Sequence, residues 1–330
     1  MNIRSKLIVT LIISLLFFLA GTTPLRAQQD AEYSMYMFNG LYLNPAYAGA
    51  KEAPTIMAIY RHQWSGLEGA PRSFNVSGHS PFKRDQYALG GTLHYDQIGA
   101  EKKYKADFDF AFRIPIKNQE NKISFGIRAG VMYYTVKPEN YQPDYGLGYD
   151  PTLEASYKTI IPNFGFGVHA SGKRYYVGVG LPHLINLSLK EHARTILNDE
   201  EAKQFKHVFA TAGVVLGKEY GKVKVKPSVL YKWSQSSPMD FDINLSLLFI
   251  DRVWVGASWR TGGDYENRKG ESVIGIVKFK ATQQLEIGYA YDHTLSRISQ
   301  FNNGSHEIML GFEFGGKGKQ FVTPRYIRYF

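Results

Sequence analysis

The chain has 330 residues, a net charge of +10 and no cysteine, which excludes disulfides, thiolate nucleophiles, cysteine-ligated metals and a lipid anchor on cysteine. Its 39 basic and 29 acidic side chains are interspersed rather than clustered. That pattern speaks against nucleic acid and for anionic lipid headgroups or an acidic partner.

Residues 1–27 read as a signal peptide. Arg4 and Lys6 precede an apolar run from Leu7 to Ala20, and Gly21, Pro24 and Ala27 lead to polar Gln28-Gln29-Asp30. The run is shorter than the roughly 20 residues of a spanning helix. Cleavage after Ala27 removes Arg4, Lys6 and Arg26 and lowers the charge from +10 to +7. No later stretch approaches helix-spanning length, so a periplasmic, a secreted and a β-barrel membrane protein stay open.

The next segment, 28–54, is crowded with Phe38, Leu41, Tyr42, Leu43 and Tyr47, yet Asn39-Gly40 and Asn44-Pro45 break it every few residues. It is too apolar to stay in water and too broken for a long helix.

From residue 55 the dominant period is two, which sends successive side chains to opposite faces of a strand. Over 104–116, Tyr104, Ala106, Phe108, Phe110, Phe112, Ile114 and Ile116 alternate with Lys105, Asp107, Asp109, Ala111, Arg113 and Pro115. About fourteen such segments are predicted: 55–64, 72–81, 87–96, 103–116, 121–135, 160–170, 173–181, 205–216, 221–233, 239–250, 252–260, 270–280, 283–293 and 305–315. Many run roughly 9 to 13 residues, beyond the usual soluble strand and near what a tilted strand needs to cross a bilayer.

The connections after even-numbered strands are tight. Those after odd-numbered strands are mostly longer, at 65–71, 97–102, 136–159, 182–204, 261–269 and 294–304, with 234–238 breaking the rule. Short turns at one rim and long loops at the other organise outer-membrane barrels, the short turns being periplasmic. A soluble sandwich or propeller has no reason for the asymmetry. The expected fold is therefore all-β: a transmembrane antiparallel barrel of about 14 strands over 55–315, with a periplasmic tail at 316–330. Its inward face would carry Asp107, Asp109, Arg113, Lys224, Lys226, Asp242 and Glu286. Fourteen strands leave a lumen of useful width. Two placements of 28–54 stay open: a plug folded into that lumen or against its rim, and a periplasmic cap.

Specific stretches resemble a known family. Tyr36 to Gly49 (YMFNGLYLNPAYAG) is similar to the mature N-terminus of the PorP/SprF outer-membrane proteins. Similar too are Tyr60-Arg-His-Gln-Trp64 with Gly69-Ala-Pro71, Gly288-Tyr-Ala-Tyr-Asp292 with Ser296, Gly304-Ser-His-Glu-Ile308, and the ending Pro324 to Phe330, in which Ile327 and Arg328 look inserted. The resemblance implies a component of the type IX secretion and gliding-motility apparatus. Its implied partners are a large secreted surface protein, met through its sorting domain, and periplasmic machinery or a peptidoglycan linker.

Candidate partner or plug contacts are Asn39, Asn44, Pro45, Tyr47, Arg61, Trp64, Tyr141, Tyr145, Asp292, His306 and Glu307. Asp292, His293, Ser296 and His306-Glu307 also invite a hydrolase reading, set against a hydrogen-bonded rim cluster ordering 294–304. His183 and His192 lack a third ligand at metal spacing. No catalytic residue, metal or cofactor is expected. A solute or hydrophobic-substrate porin is the alternative to a docking component.

Overall fold

The computed structural model describes residues 31–51, 53–83, 85–116, 121–137, 157–184, 206–218, 221–234, 237–262 and 270–314. Strands β1 (Thr55–His62), β2 (Arg72–Phe82), β3 (Tyr87–Ile98), β4 (Glu101–Ile116), β5 (Asn121–Val136), β6 (Tyr157–Ser171) and β7 (Tyr175–His183) form the first half of the wall. The second half is β8 (His207–Val214), β9 (Val223–Ser234), β10 (Ser237–Phe249), β11 (Val253–Arg260), β12 (Ser272–Lys280), β13 (Leu285–Thr294) and β14 (Ser305–Glu313). Each strand pairs antiparallel with its neighbours in sequence. β1 closes the cylinder on β14, from Thr55↔Glu313 to His62↔His306.

Alternation decides which face meets lipid. On β4, Tyr104, Phe108, Phe112 and Ile114 are exposed while Lys105, Asp107, Asp109 and Arg113 are buried. Lys224, Lys226, Asp242 and Glu286 are buried likewise. A midplane Lys or Arg on the lipid face would cost roughly 2–4 kcal/mol, so register is strongly held. Among the described residues no helix is long and apolar enough to cross a membrane; the strands do the crossing.

The short turns lie at the rim where β1 begins and β14 ends. Between β10 and β11, Ile250 and Asp251 both take positive φ (49° and 52°), the central pair of a tight turn closed by Arg252 N–H donating to Phe249 O (2.9 Å). At the other rim two expectations change. The loop expected at 97–102 is a tight turn, Gly99-Ala100 between Ile98 and Glu101, with Gly99 at φ 54°. β4 and β5 run 16 residues each, because pairing continues where the outward positions have become polar. His183, expected in a loop, ends β7 facing inward. Residues 1–30, 138–156, 185–205, 263–269 and 315–330, with Tyr141, Tyr145, His192 and the tail, lie outside the described residues.

Candidate functional site

The lumen is filled by the chain's own segment from Tyr33 to Ala50, in which residues 33–39 and 41–49 are all buried. Its backbone makes a 3₁₀ turn (Tyr36–Phe38), one α-helical turn (Gly40–Leu43) and a second 3₁₀ turn (Pro45–Tyr47). The breakers in the sequence set these ends. Asn44 is extended (φ −148°, ψ 114°), as a residue before proline prefers, and its side chain caps Ala46 N–H at 2.9 Å. Pro45 opens the turn, where its missing N–H costs nothing. Gly40 lies under the Tyr47 ring, whose atoms would stand 2.5–2.8 Å from a Cβ there.

At the long-loop end Ser34 is the hub. Its N–H and that of Met35 donate to the two oxygens of Glu307 (2.7 and 2.8 Å), and its Oγ donates to Asp292 (2.8 Å). Arg61 donates to Ser34 Oγ (2.7 Å), Asp292 (2.7 Å) and Glu307 (3.3 Å). These three wall residues belong to β1, β13 and β14, the strands that close the barrel. Glu32 adds ion pairs to Lys232 (3.0 Å) and Arg260 (3.3 Å), and Arg260 forks onto Asp242.

Halfway down, the Asn39 amide donates to Asn75 and its oxygen accepts from Ser77, both at 2.8 Å. Arg128, held by Asp109, donates to the carbonyls of Leu41 (2.6 Å) and Tyr42 (3.2 Å). A cation therefore faces carbonyls that the short helical turn leaves unsatisfied. On the opposite side Met35, Phe38 and Leu43 pack on inward-facing Phe209, Leu230, Leu248, Trp254, Ile274 and Ile276. The Lys278 ammonium stands 4.3 Å from the Phe38 ring centroid.

Nearest the short turns the segment lies in a furrow of small residues. Ala88↔Ala111, Ala111↔Gly126, Gly126↔Gly167 and Gly167↔Gly180 are register partners, so five strands present one straight inward row without bulk. A Cβ at Gly126 would collide with the Pro45 and Ala46 backbone, one at Gly167 with Asn44, one at Gly180 with Leu43 O. With side chains absent there, the Asn44 amide reaches the wall backbone at Val168 O (3.0 Å) and Val179 O (3.2 Å). Tyr47 sits edge-on between His79 and His169, and Gly49 N–H donates to His79.

Of the predicted site residues, Arg61, Asp292 and Glu307 come together around Ser34 at the long-loop end, whereas Asn39 lies halfway down the plug and Asn44, Pro45 and Tyr47 lie near the short turns. His306 joins none of these groups: it faces outward beside Glu307, its ring 2.7 Å from Tyr289 Oη. His293 is outward and Asp292 inward, so the acid and both histidines lie on opposite faces of the wall and make no relay. Trp64 stands in the first long loop with positive φ, its backbone N–H donating to Ser305 Oγ at 3.1 Å. Ser34, Arg128, the glycine row and Glu32 were missed from sequence; inward parity alone flagged Asp109 and Asp242.

Near the outer rim the carboxylates of Glu32, Asp240 and Glu271 have oxygens within 4.8 Å of one another, with Lys232 and Arg260 paired into the group. Burial, and then the charge of Glu32, push the Glu271 carboxyl up to about 7. From about 4.5, the ordinary value, to about 7 the folded chain holds a proton that the unfolded chain releases. Stability therefore falls as pH rises through that window. Glu271→Gln is expected to flatten this decline in thermal melts between pH 5 and 8; an unchanged slope would refute the assignment.

A closed antiparallel barrel with an apolar outer band and an ionic interior sealed by its own N-terminal segment is an outer-membrane β-barrel of the plugged kind. The model of the family described as type IX secretion system membrane protein PorP/SprF matches residues 25–312, and the chain belongs to that family. No curated protein sequence matches the chain. Among similar solved structures are Omp33 of Acinetobacter baumannii (10% identity, 79% of this chain and 98% of that one, TM-score 0.43) and the KdgM porin (8%, 79% and 99%, 0.36). Outer membrane phospholipase A from Escherichia coli is another (11%, 87% and 94%, 0.36).

Proposed function

We propose that this protein is an accessory of the type IX secretion or gliding apparatus that supports the export or surface attachment of a partner secreted protein. The carrying observation is the filled lumen: the Tyr33–Ala50 segment occupies the space that a solute porin keeps open. A sealed barrel contributes surfaces rather than a path, so in this reading the protein acts by binding its partners. In this reading the leader is cleaved after Ala27 during export. The long-loop rim engages the secreted protein through its sorting domain, and the short-turn rim with 316–330 faces periplasmic machinery or a peptidoglycan linker. Outer-membrane lipid covers the remaining face. Affinity would rest on rim aromatics such as Trp64, Tyr141 and Tyr145, which bury large areas at low entropic cost. Pull-down from mild-detergent membranes is expected to recover a large secreted protein or a periplasmic secretion component. Recovery of bulk lipid-associated proteins alone would overturn the docking role.

A further inference from the structure

The plug has a direction. Pro54 and Phe314, joined by a 2.8 Å backbone hydrogen bond, mark the rim of the short turns, where the strand bundle begins and ends. Going backwards along the chain, Lys51 pairs with Glu286 and Gly49 meets His79, both near that rim. Asn39 lies level with Asn75 and Ser77, in the body of β2. Ser34 reaches Arg61, Asp292 and Glu307, each within two or three residues of a long-loop end. Glu32 then meets Lys232 and Arg260 at the last turns of wall before the loops. Ala31 and Glu32 border a hollow beside Trp233 and Ser234.

We propose that this segment crosses the outer membrane inside the barrel, so that its amino-terminal end stands on the cell exterior with the long loops. The topology would be amino end out and carboxyl end in, although β1 starts at the periplasmic rim. One consequence follows. Whatever precedes Ala31 in the exported chain is then displayed outside, and the ionic lock at Glu32 and Ser34 can be approached from there.

The absence of cysteine makes single reporters unambiguous. Ala31→Cys, Glu68→Cys in the first long loop and Gln283→Cys in the β12–β13 turn would each be treated on intact cells with a membrane-impermeant maleimide. Ala31→Cys and Glu68→Cys are expected to label on intact cells, and Gln283→Cys only after permeabilisation. A short epitope inserted between Gln29 and Asp30 supplies a second readout, by antibody binding to intact cells. The proposal is overturned if Gln283→Cys labels on intact cells. It is equally overturned if neither Ala31→Cys nor the epitope is reached until the outer membrane is opened. Neither result depends on which proteins are recovered by pull-down, so this topology and the docking role fail separately.

Discussion

Gly126→Val is expected to lift the Pro45–Tyr47 part of the plug off the wall and turn a sealed barrel into a conducting one. The atoms that a Cβ at Gly126 would strike are backbone atoms of Pro45 and Ala46, which cannot swing aside as a side-chain tip would. The wall itself has no quarrel with the change. Gly126 is a strand residue paired with Ala111 and Gly167, and a β-branched side chain suits that backbone better than glycine does. Overpacking costs typically 1–3 kcal/mol. Lifting Pro45–Tyr47 also forfeits the Asn44 bonds to Val168 O and Val179 O, each worth about 1 kcal/mol. The cheaper outcome is a displaced segment and an intact wall. In planar bilayers the variant should conduct more than the parent and less than a chain lacking residues 31–50, whose emptied fourteen-strand lumen sets the upper limit. Protease should cut the freed segment. A variant that stays closed while the deletion conducts would show that the furrow does not hold the plug. A deletion that also stays closed would show that this segment is not the seal.

The wall was legible and the seat was not, for a reason rooted in strand geometry. Alternation within one segment is local information: Asp107, Asp109 and Arg113 announce an inward face without any knowledge of neighbours, and all three are buried. The furrow is non-local. Gly126, Gly167 and Gly180 each look like an isolated glycine in a strand, and only the register Gly126↔Gly167↔Gly180 lines them into a groove. Arg128 was readable as an inward cation, but that it would receive the carbonyls of Leu41 and Tyr42 depends on a segment some 85 positions earlier. Proximity in sequence misled in the opposite direction at His306 and Glu307. Adjacent residues on a strand point to opposite faces, so their closeness along the chain is what separates them. The turn at Gly99-Ala100 was overread as a longer loop because above the lipid both faces of β3 and β4 are polar, and pairing there leaves no hydrophobic alternation to detect.

Arg61→Leu is expected to loosen the barrel at its seam. Arg61 is the cation between Asp292 and Glu307, all three being almost wholly buried. Removing one partner of a buried ionic group costs about 3–5 kcal/mol, because the remaining charges stay desolvated without compensation. The loss falls on β1, β13 and β14 together, where covalent continuity of the wall is missing and the cylinder is held shut by the backbone pairing from Thr55↔Glu313 to His62↔His306 and by the Arg61–Glu307 ion pair across it. Ser34 links the same strands through the plug, so seam and plug should weaken as one unit. On unheated gels the folded band of Arg61→Leu should convert at a temperature lower by roughly 10 °C, given about 2–4 °C per kcal/mol for a domain of this size. Glu307→Gln should fall short of that shift. It offers one acceptor oxygen where Ser34 N–H and Met35 N–H now find two, a loss of about 1–3 kcal/mol. If Arg61→Leu frees the plug to protease while the wall melts as before, the lock anchors the segment but does not staple the seam, and the coupling of plug to closure fails.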